Sequence, residues 1–237
     1  MLKKLLIPVA GAFILAYAVP VSAGPAAYGA AAFLGATILL AVVFMRALAR
    51  RDQLTEWIAV ELNKLRRIYH LGKNLGGESR HRQWFTELHG YVYGYLTAFD
   101  KKNFSQYQET NGDFRKLSYH LYQIPSLDTE KERVLYRDLL EAAGVVAGAR
   151  QRIQELWSGG LPAPIWNALV MLHVAAGAAI LFSMGPADRL VTALLLSFSG
   201  AAMMIVRETD AMRSLSGSAL TKRYVENIAR LELRRHD

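Results

Sequence analysis

Residues 26–51 read AAYGAAAFLGATILLAVVFMRALARR, and this stretch decides the fold. From Ala26 to Met45 it runs for 20 residues without a charge, and then Arg46, Arg50 and Arg51 follow. A helix of that length rises about 30 Å, the thickness of a bilayer's hydrocarbon core. The stretch therefore predicts a transmembrane helix with a basic exit.

Three further uncharged runs lie outward from it, Leu5–Val21, Ile165–Met184 and Leu190–Val206. They pair through short connections, Ser22–Pro25 and Gly185–Arg189, so the chain reads as two hairpins bracketing a long polar middle. The expected fold is an all-α membrane protein: four transmembrane helices in two hairpins, with a cytoplasmic helical bundle inserted between them. The expected divisions are 1–46 for the first hairpin, 47–160 for the bundle, 161–207 for the second hairpin and 208–237 for a C-terminal helix.

The formal net charge of +8 invites a nucleic-acid reading, but the positions of the charges argue for membrane lipids instead. Lys3 and Lys4 precede the first run, and Arg46, Arg50 and Arg51 follow the second. Arg150 and Arg152 precede the third, and Arg207, Arg213, Lys222 and Arg223 follow the fourth. The two hairpin tips carry one Asp and one Arg between them. Basic residues gather on the cytoplasmic side, which places both termini and the middle block there and makes the protein multi-pass. Anionic head groups would add about 1 kcal/mol for each nearby basic residue. With no cysteine in the chain, disulfides, thiolate metal sites and a cysteine nucleophile are excluded.

Met1–Ala23 also has the form of a secretory signal, with two lysines, an apolar run and small residues at its end. Gly24-Pro25-Ala26 suits a tight turn between paired helices equally well, and the expectation is an uncleaved first span.

The second span is expected to continue into the cytoplasm as one helix. Between Ala26 and Leu71 there is no proline, and Leu54, Ile58, Leu62, Leu65 and Tyr69 keep helical spacing up to Gly72 and Gly76-Gly77. Phe85, Leu88, Val92, Tyr95 and Phe99 make a second stripe; Tyr107, Phe114, Leu117, Leu121 and Ile124 make a third. Asp128 or Thr129 is the expected N-cap of the next helix, with Glu130 and Glu132 in its first turn. Its stripe runs from Leu135 through Leu139, Ala142, Val146, Ala149 and Ile153 to Leu156. Leu220, Tyr224, Ile228 and Leu231 mark a last amphipathic helix. No run alternates in the manner of a strand.

Enzyme motifs are scarce. Gly72–Gly77 follows a helix rather than a strand and lacks the phosphate-loop pattern. His70, His81, His89 and His120 have no zinc-ligand spacing, so no catalytic residue, metal or cofactor is assigned. Within the apolar runs Asn167 and His173 stand out in the third span, and Thr192, Ser197 and Ser199 in the fourth. Polar groups in lipid are costly unless partnered, which makes the ionisable His173 a functional candidate. Small residues at four-residue steps, Ala27, Ala31 and Gly35 together with Ala32 and Ala36, allow close helix approach. Phe33, Thr37, Leu40 and Phe44 form another face ending above Arg46 and Arg50. Gathered around an axis, this face would line a pore with a hydrophobic constriction and a basic mouth for inorganic ions. The rival reading is a non-conducting scaffold or sensor, binding a partner through Tyr91, Tyr93 and Tyr107 of its bundle.

Three stretches carry a resemblance. They are Phe44–Arg51 followed by Glu61 and Arg66–Tyr69; Arg150–Ile153 leading through Leu161-Pro162 to Ile165–Leu169; and Asp210 followed by Leu215-Ser216-Gly217. In this order they resemble the bestrophin-like family of bacterial membrane proteins, relatives of the bestrophin anion channels. The resemblance implies a homo-oligomeric ring, a pentamer, in the inner membrane, with a central ion pore. The chain departs from the family in having no proline soon after Asp210 and no counterpart of the acidic calcium clasp of animal bestrophins. Calcium gating is therefore not implied.

Overall fold

The structure is a computed structural model describing residues 25–76, 79–101, 104–183, 186–212 and 217–231. The first expected span, Leu5–Val21, lies outside the described residues. What is described is helical, with no strand among the described residues. The α-helices are α1 (Pro25–Leu75), α2 (Arg82–Lys101), α3 (Asn111–Leu121), α4 (Glu130–Ser158), α5 (Ala163–Ser183), α6 (Pro186–Asp210) and α7 (Gly217–Arg230). Short 3-10 turns, Ser79–His81 and Phe104–Thr110, lead into α2 and α3.

α1 has 51 residues and opens on Pro25, which costs little in a first turn, where the backbone N–H has no partner anyway. It runs through Gly72 rather than ending there, and stops at Gly76, whose N–H reaches the Gly72 carbonyl at 2.8 Å. No described glycine has a positive φ, so these two glycines serve close approach rather than an unusual turn. A Cβ on Gly76 would lie 2.3 Å from the Cβ of Phe85, and one on Gly72 would lie 2.4 Å from a methyl of Leu88. Both glycines let α2 press against the end of α1.

The chain divides into two compact units, Met1–Arg51 with Gly159–Ser214, and Asp52–Ser158 with Leu215–Asp237. The first contains the start of α1 and the pair α5 and α6, with Ala36, Leu40, Ala47, Leu169, Ala176 and Val206 buried. Two stretches, Gly29–Leu75 and Glu130–Ala178, hold windows long and apolar enough to cross a membrane.

The second unit packs α2 against α7 and α3. The stripe of α1 is buried as its spacing predicts, at Leu54, Ile58, Leu62, Leu65 and Tyr69. The third stripe is divided: Tyr107 lies in the 3-10 turn, Leu117 and Leu121 are buried on α3, and Ile124 falls beyond its end.

α4 begins with a reciprocal cap. The Thr129 hydroxyl accepts from the Glu132 N–H at 3.2 Å, while the Glu132 carboxylate accepts from the Thr129 and Asp128 N–H groups at 2.8 and 2.9 Å. Arg80 adds bonds to Glu132 and Asp128. Backbone donation from Thr129, aided by Arg80, holds the Glu132 carboxyl down at about 2.

Candidate functional site

α1 carries a charged residue into each unit, Arg50 in the first and Glu61 in the second, and each organises a cluster.

In the first unit Arg50 meets Asp210, the last residue of α6, at 3.1 Å. Both side chains are about nine-tenths buried, at 10% and 7% exposure. The guanidinium also donates to the carbonyls of Gly159 and Asp210. The second Asp210 oxygen accepts the Leu161 N–H at 2.8 Å. A carboxylate at a helix C-terminus opposes the macrodipole, and Arg50 supplies the compensating charge at both the side chain and the orphan carbonyl. A Cβ on Gly160 would stand 3.4 Å from the Asp210 carboxylate, so a small residue suits that approach. The chain leaves α6 through Met212, buried with a left-handed φ of 57°, and its N–H bonds the Thr209 carbonyl at 3.1 Å.

In the second unit Glu61 is fully buried. One of its oxygens accepts from the Tyr95 hydroxyl and from Arg150, the latter at 3.4 Å. The other accepts from the hydroxyls of Tyr107 at 2.9 Å and Tyr224 at 2.6 Å. Four donors use the roughly four lone-pair positions a carboxylate offers. Arg150 is satisfied in turn by the Tyr95 hydroxyl, by Thr110 Oγ1 at 3.0 Å and by Asn111 Oδ1 at 2.7 Å. Its guanidinium carbon sits 4.7–5.1 Å from the ring centres of Tyr107, Phe114 and Tyr95. Burial, reinforced by the Glu61 charge, pushes the Tyr95, Tyr107 and Tyr224 hydroxyls well above the usual tyrosine range and keeps them protonated donors. Burial opposes the Arg150 charge, but its phenol and carboxyl neighbours outweigh that and raise it. A carboxylate so saturated has no free lone pair for a substrate. Its role is to bind α1, α2, α4 and α7 through one buried centre.

The clusters unite residues from stretches far apart in sequence: Arg50 with Asp210, and Glu61 with Arg150. The three phenols and Asn111 carried no sequence signal for this role. Tyr95 and Tyr224 were legible only as members of apolar stripes. Tyr107, expected as an exposed partner contact, is instead 2% exposed, because its hydroxyl bonds Glu61. Of the other two aromatics on that expected surface, Tyr91 is 37% exposed and Tyr93 half-buried.

The six residues expected along the pore do not share one environment. Thr37 and Arg46 are exposed, Phe33 and Phe44 are half-buried, the Arg50 side chain is about nine-tenths buried against Asp210, and Leu40 is 4% exposed. The Thr37 hydroxyl donates to the Phe33 carbonyl at 2.9 Å.

Asn167 is exposed on α5, while His173 is buried and edge-on to Phe33 at 6.0 Å. His173 Nδ1 lies 2.8 Å from the Leu169 carbonyl on its own helix, leaving Nε2 without a partner. Nε2 and the similarly unpartnered Ser199 hydroxyl belong to residues lining an apolar cavity of about 640 Å³, together with Trp166 and Arg207. Ser197 is exposed, and the Thr192 side chain lies outside the described residues, as does that of Ala27. Among the described residues no group of three His, Asp or Glu is placed to hold a metal.

Comparison with known proteins supplies one finding. The family model described as Bestrophin-like domain matches residues 25–209, most of the chain. The match begins at the start of α1 and ends beside Asp210, spanning Arg50, Glu61 and Arg150. No curated protein and no solved structure matches the chain.

Proposed function

The chain belongs to the bestrophin-like family, and on that premise we propose that it is the subunit of an oligomeric ion channel in the bacterial inner membrane. The family and the two apolar stretches make it a membrane protein. In the proposed arrangement all four apolar runs cross the bilayer and both termini and the bundle are cytoplasmic. Copies of α1 surround the axis in a ring, five by likeness to the bestrophins.

The observation that carries the lining role is the side of α1 left open within its own unit. Ala30, Leu34, Thr37, Ala41 and Met45 recur at steps of three and four and are exposed, Leu34 by 46% and Met45 by 65%. A transmembrane helix that is small and apolar along one open face suits packing around an axis. Of the proposed lining residues, Thr37 lies on this open side and Arg46 forms the mouth. Phe33, Leu40 and Phe44 back the constriction, and Arg50 holds the helix to the end of α6.

Purified full-length protein in planar bilayers tests the proposal. The expected result is unitary conductance, with a detergent-corrected mass of several chains. Thr37→Lys should shift the reversal potential in a salt gradient. Silence under both cation and anion gradients, together with a monomeric mass, overturns the proposal.

A further inference from the structure

The second unit contains a polar cleft of about 270 Å³ between α1 and α7. One wall presents Asn63 and Arg66; the other presents Arg223, Glu226, Asn227 and Arg230, which share one face of α7 at steps of three, one and three. Three arginines thus line a cleft with one carboxylate, Arg66 part-buried and Arg223 and Arg230 exposed, and Glu226 has Lys222 at 3.8 Å as a competing partner.

Among the described residues no carboxylate lies within ion-pairing distance of Arg66, Arg223 or Arg230. Arg66 donates to the neutral Asn227 amide oxygen at 3.2 Å, and its Nε is buried without a partner. Asn227 is itself 5% exposed, held by a 2.8 Å bond from its amide nitrogen to the Arg223 carbonyl, so the floor of the cleft is organised rather than loose. Like charges on facing helices repel, and a buried donor without an acceptor is destabilising. One small dianion removes both penalties.

We propose that this cleft is an anion site for a phosphomonoester group, held between Arg66 on α1 and Arg223 and Arg230 on α7. Guanidinium forks match phosphate oxygens in pairs, which favours phosphate over a spherical halide. The volume accommodates a phosphate and a few further atoms. Bound there, the dianion ties the last helix of the chain to α1, and this does not depend on whether the protein conducts.

Inorganic phosphate and phosphatidic acid offer the same chemistry from the solvent and from a lipid, and the test separates them. Full-length protein is melted in detergent with inorganic phosphate against chloride at matched ionic strength. It is also melted in phosphatidylcholine nanodiscs with and without phosphatidic acid. Saturating anion should raise the midpoint by about 5–10 °C at a hundred times the dissociation constant. The shift should vanish in the Arg223→Gln/Arg230→Gln double variant. Glu226→Gln, which removes the cleft's own carboxylate, should lower the half-saturating concentration several-fold and keeps the test open if the double variant folds poorly. A shift with phosphate alone assigns a soluble ligand, and a shift with phosphatidic acid alone assigns a head group. No shift from either source, or equal shifts in wild type and variants, overturns the proposal.

Discussion

Glu61 takes four hydrogen bonds in a fully buried setting, and Arg150 is the one positive partner among them. Deleting a single phenol hydroxyl leaves three donors in place, so Tyr107→Phe should cost about 1–3 kcal/mol. Glu61→Gln is harsher, because it strands the Arg150 charge and turns an amide donor toward hydroxyls that already donate. A buried pair broken in this way costs about 3–5 kcal/mol. Denaturant unfolding of the detergent-solubilised chain, followed by tryptophan fluorescence, should rank Glu61→Gln well below Tyr107→Phe. Equal losses would show that the carboxylate is no keystone. Glu61 was visible in the sequence only through family likeness, since a single acidic residue on a helix is ordinarily a solvated one. Arg150 was read also as a basic flank of the third apolar run, but it is buried against Glu61 instead.

Among the elements, α1 tests what its glycines do. Replacing either Gly72 or Gly76 by Ala favours helix by about 1 kcal/mol in an open setting. Here the gain is opposed by packing. At Gly76 the obstacle is the Cβ of Phe85, which is fixed to the α2 backbone, whereas at Gly72 it is a methyl at the end of Leu88 that can turn aside. Gly76→Ala should therefore destabilise by about 1–3 kcal/mol, and Gly72→Ala by clearly less. A reversed order in thermal unfolding would refute the close-approach account. The cap of α4 was narrowed in advance to Asp128 or Thr129, and the reciprocal bonds between Thr129 and Glu132 select Thr129. The end of α1 was not readable to the residue. Helix termination at Gly72 or at Gly76 depends on whether α2 covers that turn.

For the whole molecule, the basic residues flanking each apolar run make a strong prediction. Reporter fusions at both termini and beside Trp84 should all report the cytoplasmic side, and a fusion within Gly185–Arg189 the opposite side. A periplasmic signal from near Trp84 would reverse the orientation and remove the proposed cytoplasmic bundle.

Hydropathy and periodicity are local properties, carried by windows of a few turns. Run lengths therefore foretold that the described residues are helical and hold stretches long and apolar enough to cross a membrane. Three- and four-residue steps foretold the mostly buried stripes of α1, α2 and α4. Which charges meet is a long-range matter: Glu61 and Tyr224 are 163 residues apart, and no pattern along either segment encodes their contact. Only the packing of α1 against α2, α4 and α7 made Tyr107 a buried donor rather than an exposed contact. Folding brought Arg50 to Asp210 and gathered Arg66, Arg223 and Arg230 along one cleft. A side chain's partner is set by the burial that removes water as its alternative, and that burial exists only once the helices have packed.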